Sequence, residues 1–357
     1  MTVLAEAKRA LLVVAALAAT LSVLLIAFAL PAVKSGPHRL PVALVASASD
    51  ASQIREHVES ATPGAISFRT ARSQEQAQTM IDHRDVDGAI VVEPAGVTTL
   101  VGSAAGVSVA TAVEGVGSAV AAGRPHQVLN VRPFPSGDPR GVGLSAGALP
   151  LALGGWIGAL VIMAAVRRPS HVVAAVVGFS VVGAIALTVV MRYVIGTYDT
   201  GLVAVTLAAV LAFAATAFGV IGLRSLLGVP GLVIAALALI VVGNPLSGLS
   251  SAPELLPSPW GTIGQLLPPG ATGSLLRNVE FFNGHAITQP VVVLCAWLLV
   301  GLALYALALR RTVALRRTAS APAPVAGGGR HEAPESDGVP ETMGAPETME
   351  VRETMGA

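Results

Sequence analysis

The chain of 357 residues is 53% hydrophobic and only 12% charged, with a mean hydropathy of +0.72. A water-soluble domain carries about 25% charged residues, so this composition excludes an ordinary soluble globule. The formal net charge is only +1, and the lone cysteine, Cys295, excludes an intrachain disulfide framework and a cysteine-built zinc site.

The first apolar run, Arg9–Pro31, has the length of a membrane span, because about 20 apolar residues in helical form cross about 30 Å of hydrocarbon. Ala27-Phe28-Ala29 near its end resembles a signal-peptide cleavage site. The run exceeds the apolar length of a signal segment, which favours an uncleaved anchor. Cleavage would leave five spans without changing the other orientations.

The polar stretch 32–144 reads as a small α/β domain. Leu40–Ala46, Ile66–Thr70, Gly88–Val92, Thr98–Ser103 and Val128–Arg132 are strand candidates. Ala51–Ser60, Ser73–His83 and Val107–Ala122 have helical patterns, with Ser73 as N-cap and Gln76 at the capping-box position. The Pro94–Gly96 turn is expected to pair the third and fourth strands. Alternation of strands and helices predicts one sheet with helices packed on it. Pro133–Gly143 is a Pro/Gly linker.

Five further runs follow: Ser145–Val166, Val172–Val190, Gly201–Leu223, Val229–Gly248 and Val291–Leu309. All six runs must be helical in lipid, since an unpaired backbone amide or carbonyl there costs several kcal/mol. Between the fifth and sixth lies an insertion at 249–290, rich in Pro and Gly. It keeps apolar helical stretches at Ile263–Leu267 and Ser274–Phe282. In the second, Leu275, Leu276, Val279 and Phe282 share one face and Arg277, Asn278 and Glu280 lie off it. That pattern suits an interfacial or re-entrant segment; an ordinary outside loop is the alternative. Residues 316–357 read as a disordered tail with Glu-Thr-Met repeated at Glu341, Glu347 and Glu353.

Basic residues flanking the runs set an orientation. Lys8, Arg9, Arg167, Arg168, Arg224, Arg310, Arg311, Arg316 and Arg317 fall on one side, against Arg192 and Arg277 on the other. Both termini are therefore expected to be cytoplasmic, with 32–144 outside the plasma membrane.

Chemistry-bearing motifs are few. The lysines, Lys8 and Lys34, follow Ala7 and Val33, so no phosphate-binding P-loop exists and any ATP-driven work needs another polypeptide. Gly143-Leu144-Ser145-Ala146-Gly147 matches a nucleophile-elbow pattern but opens an apolar run, without the preceding strand that the motif needs. Gly115-Val116-Gly117 lacks the third glycine of a dinucleotide fingerprint, because Val120 stands there. The Asp82–Asp87 acidic cluster reads as a solvated turn, and the seven histidines form no ligand pair. No enzyme, cofactor or metal is expected. Arg192, Asp199 and Arg224 lie near run ends, where they can reach the surface. Gly154-x-x-x-Gly158 permits a close helix approach, inside the bundle or in a dimer.

The order of parts is similar to that of type-2 ABC transporter permeases. More closely, it resembles the phage-infection-protein-like branch with a large extracytoplasmic domain. Local matches are Leu40–Val45, Val86–Val92, Gly243–Gly248, Pro253–Pro257, Ile263–Ala271 and Leu275–Gly284, within about residues 5–315. The resemblance implies a six-helix membrane protein in four parts: residues 1–31, the α/β domain 32–144, the membrane domain 145–315 and the tail 316–357. It implies an exporter permease, with two copies as a homo- or heterodimer forming the path. A separate cytoplasmic ATP-binding subunit would dock on the N-terminal segment and on Arg167–His171, with Arg167 and Arg168 as coupling residues. Here both of those segments are short. Pro268, Pro269 and Gly270 would break the insertion, which also carries Arg277, into paired re-entrant helices. Lipid and these subunits, and no nucleic acid, are the implied partners. An apolar substrate suits a path without charges. The rival expectation is a membrane-anchored scaffold or receptor whose outside domain binds an envelope partner.

Overall fold

The computed structural model describes residues 3–249 and 252–319. The tail repeat lies outside the described residues. Residues 314–357 form a separate unit, whose described part is the end of the last helix.

Helix α1 (Val3–Val33) opens the chain, and no residue of its apolar stretch Ala5–Leu30 is buried. An apolar helix with no buried residue suits a lipid surrounding.

A five-stranded sheet follows, in order β2-β1-β3-β4-β5. Its strands are β1 (Leu40–Val45), β2 (Ile66–Thr70), β3 (Gly88–Glu93), β4 (Gly96–Val101) and β5 (His126–Asn130). β1 pairs in parallel with β2 and β3, β3 pairs antiparallel with β4 through the predicted turn, and β4 pairs in parallel with β5. Three helices cover the sheet: α2 (Ala48–Ala61), α3 (Gln74–Asp82) and α4 (Val107–Ala121). Side chains alternate along β1. Leu40, Val42 and Leu44 join Val58, Val109 and Val113 in one core, while Ala43 joins Ala77 and Ile81 of α3 in another. The central strands are thus buried on both faces, which is why they read as continuous apolar runs. Ser73 caps α3 by accepting from the Gln76 amide at 3.2 Å, as predicted, and the Gln76 side chain reaches the Arg72 amide at 2.8 Å.

The helical part comprises α5 (Val142–Ala165), α6 (Pro169–Val190), α7 (Leu202–Leu227), α8 (Val229–Ala236), α9 (Trp260–Gln265), α10 (Pro268–Phe281) and α11 (Thr288–Ala319). Wider π-helical turns continue α6 through Met191–Ile195 and α8 through Leu237–Gly243. Among the described residues, four helices are long and apolar enough to cross a membrane: Ala5–Leu30, Pro169–Ile195, Leu202–Leu227 and Thr288–Ala314. They suggest a membrane-embedded protein. The other two predicted runs form shorter apolar helices, Leu153–Ala165 and Val229–Gly243. α5 carries Pro150 inside it, and the fifth run leaves helical structure after Gly243, so its helix is about 22 Å long at 1.5 Å per residue.

α7 is the centre, packed by α5, α6, α8 and α10. The small residues of α5 face inward. A Cβ at Gly154 would stand 2.6 Å from Phe213, and one at Gly155 would stand 2.7 Å from Thr216 Cβ. Gly158 lies against Phe179, whose ring meets Phe213 edge-on at 5.6 Å. This small-residue face is therefore used within the chain.

Candidate functional site

The buried charged residues Asp87, Asp138, Arg277 and Glu280 gather where the sheet and its linkers meet the bundle. Four ties hold this junction.

The first closes on Asp138, in the linker before α5. Its carboxylate accepts from the Val142 amide at 2.9 Å, the Gly143 amide at 2.7 Å and the Thr197 hydroxyl at 3.0 Å. Two of these are first-turn amides of α5, which have no partner within the helix, so an acid here offsets the positive helix end. Gly143, read from sequence as part of an elbow motif, instead lets the chain pass against Thr197 without a side chain between them.

The second closes on Glu280 of α10. One carboxylate oxygen accepts from the Asp199 amide at 2.8 Å and the Thr200 amide at 3.1 Å, just before α7. Burial raises the Glu280 pKa, and the two amide bonds oppose it. Arg192 donates to the Tyr198 carbonyl at 2.8 Å, so both Arg192 and Asp199 serve the loop between α6 and α7.

The third joins the sheet to the insertion. Arg84, after α3, reaches Glu254 at 3.0 Å and Asp87 at 3.4 Å, and its guanidinium lies 4.9 Å from the Phe282 ring centre. Glu254 belongs to a short 3₁₀ turn, Pro253–Leu255. His83 stacks on His285 at 4.2 Å, and Arg132 holds Asp82 at 2.6 Å. The Asp82–Asp87 turn is thus only in part the solvated turn that its composition predicts: His83 and Asp85 are exposed, while Asp87 is 5% exposed and Arg84 is held by the insertion. Burial, and then the Glu254 charge, push the Asp87 carboxyl up to about 7, against the pull of Arg84 and Arg69.

The fourth fixes the insertion. α9 ends at Gln265, and α10 begins on Pro268 and Pro269, where proline fits a helix start. Pro268, Pro269 and Gly270 are all buried at this break. Gln265 ties it in place. Its side chain donates to the Ser247 carbonyl and accepts from Ser274, and its carbonyl accepts from Gln289 of α11. The amphipathic reading of α10 needs correction. Arg277, Asn278 and Glu280 are buried along with Leu275 and Leu276, because α5 and α7 cover one side and the sheet unit approaches the other.

Arg167 and Arg168 are exposed on the connection between α5 and α6, and among the described residues their side chains make no hydrogen bond or ion pair. α5 separates them from Asp138 by about 36 Å along its axis. Sequence reasoning missed Asp138 and Glu254. Their signal was a lone acid beside an apolar run, which is weak without its partner.

One cleft lies beside the insertion and another on the sheet unit. An apolar groove of about 480 Å³ separates α1 from the π-helical end of α8, lined by Ile26, Leu30, Val242, Leu246 and Trp260, with Lys34 at its polar end. A second, of about 450 Å³, lies between α2 and α4 and carries Asp50, His57 and Arg124. Among the described residues no cluster of His, Cys, Asp or Glu is arranged to hold a metal ion. Searches against known protein-family models, curated proteins and solved structures return no match for this chain.

Proposed function

We propose that this chain is the membrane permease subunit of an ABC-type exporter that works with a separate ATP-binding subunit and a second permease copy. In this reading six helices span the plasma membrane, both termini are cytoplasmic and the sheet unit 32–144 stands outside. The observation that carries it is the broken insertion, α9 and α10, held by part-buried polar bonds between the sheet and the loop before α7. Such a wedge transmits a shift of the bundle to the outside unit, or the reverse. The lipid-facing groove beside α1 suits an apolar or amphiphilic substrate entering from the bilayer. Arg167 and Arg168 supply a free cationic surface for the ATPase. Affinity purification after mild solubilisation tests this. An ATP-binding polypeptide is expected to accompany the wild type, and an Arg167→Ala/Arg168→Ala variant is expected to lose it. Vesicles whose efflux is indifferent to ATP and vanadate would defeat the proposal.

A second reading, a membrane-anchored scaffold or receptor, is favoured by the polar cleft between α2 and α4. It predicts that an envelope partner is captured by residues 32–144 and that no ATPase co-purifies.

A further inference from the structure

We propose that the N-terminus of α4, with Arg140 and Arg277, forms a binding site for a phosphate-class oxyanion, free or as a lipid headgroup. Three observations meet at one cavity. Helix α4 starts without a side-chain cap, since its N-cap is Gly106. Its first amides therefore have no intrahelical partner and point along the axis with a partial positive charge. In front of them lies a cavity of about 70 Å³, bounded by Gly106, Val107, Ser108, Phe134, Arg140 and Arg277. That is several times the room one water needs.

The independent observation is Arg277. It is 5% exposed, its Nε has no partner, and one terminal nitrogen reaches the Gly248 carbonyl at a long 3.5 Å. Among the described residues no carboxylate lies within ion-pair distance of it, and no acidic side chain lines the cavity. Burial lowers its pKa to about 10, with the Glu254 charge opposing, so it remains a cation at neutral pH. Glu254, the acid whose charge reaches it, is already bonded to Arg84, and a buried cation with no bonded carboxylate is costly, so a resident anion offsets that cost.

An oxyanion with several acceptor oxygens matches this donor set. A guanidinium offers a planar fork, and the helix end offers amides from a second direction. Arg140 is exposed and stands at the mouth, where it draws the anion in. The site joins α4 of the sheet unit to α10 of the insertion, so occupancy ties the two. The inference is independent of any transport role.

The test uses the full chain in phosphatidylcholine nanodiscs. Inorganic phosphate is titrated against chloride at equal ionic strength, and thermal unfolding is followed. Saturable stabilisation by phosphate is expected. Arg140→Ala is expected to raise the half-saturating concentration roughly tenfold, the loss of about one charge-assisted bond. Arg277→Met is expected to abolish the response. A parallel arm replaces part of the phosphatidylcholine by phosphatidylglycerol. Stabilisation by that lipid, with no further effect of phosphate, assigns the site to a headgroup; stabilisation by phosphate alone assigns it to a free anion. No response in either arm overturns the proposal, as does an unchanged response in both variants. If Arg277→Met does not fold, the Arg140→Ala curve decides.

Discussion

Arg84 and Glu254 meet at 3.0 Å although 170 residues separate them in sequence. The Arg84 backbone sits at φ 62°, in the left-handed region that an L-residue enters at a cost of about 1–2 kcal/mol. The pair, together with Asp87 and the Phe282 ring, holds that conformation in place. Arg84→Ala loses the pair and keeps the strain, whereas Arg84→Gly loses the pair and relieves it. Thermal unfolding of the purified chain should rank Ala as less stable than Gly by about 1 kcal/mol. Equal stabilities would show that the backbone there is not strained.

Asp87 makes the junction sensitive to pH. Its folded pKa of about 7 lies above the ordinary carboxyl value of 3.8, so the folded chain holds a proton that the unfolded chain releases. That stabilisation is complete below about pH 4, declines as pH rises, and is gone above about pH 7. The slope in this window is at most about 1.4 kcal/mol per pH unit for one proton. His83, His285 and Glu254 lie nearby, so the informative quantity is a difference. The stability of the wild type minus that of Asp87→Asn should fall between pH 4 and 7 and be flat above. A difference independent of pH would mean that Asp87 titrates normally.

Asp138 fastens the start of α5 to the loop before α7. Asp138→Ala should cost about 1–3 kcal/mol, because three donors lose one acceptor, two of them at a helix end. Asp138→Asn should cost less. Proteolysis between α6 and α7 should accelerate in step with those losses.

Glycines on the helices divide into two classes. Gly154→Leu would drive a side chain into Phe213 and should cost about 1–3 kcal/mol. Gly178 of α6 has nothing within 4 Å of a Cβ, so Gly178→Ala should be neutral or stabilise by up to about 1 kcal/mol. Unfolding in detergent compares the two directly.

The proposed orientation is testable with single cysteines in a Cys295→Ala background. Gln53→Cys, exposed on α2, should react with an impermeant maleimide in intact cells, and Arg167→Cys only after permeabilisation. The opposite pattern would invert the topology.

Much of the sheet unit was legible in the residues. The expected strand Ile66–Thr70 has its observed bounds, and the apolar runs Leu40–Ala46 and Gly88–Val92 each end within one residue of the observed strands. Ser73 marked a helix start because its cap bond is local. What was not legible depends on partners remote in sequence. The spacing of Leu275, Leu276 and Val279 says that one face of α10 is apolar, yet it cannot say that Glu280 meets Thr200 or that Arg277 faces α4. The Asp82–Asp87 turn has the composition of a solvated loop, and only Glu254 and Phe282 reveal that Arg84 within it is held by the insertion. The apolar runs fixed the helices, but α5 and α8 contain shorter apolar stretches than the runs implied.

Helix α7 is buried without interruption from Ala215 to Gly222, more than two turns, so side chains on every side of it meet protein. A hollow along that axis is ruled out, because α7 itself is the plug. Under the proposed export role, any cargo would travel along an outer flank or a seam shared with another polypeptide.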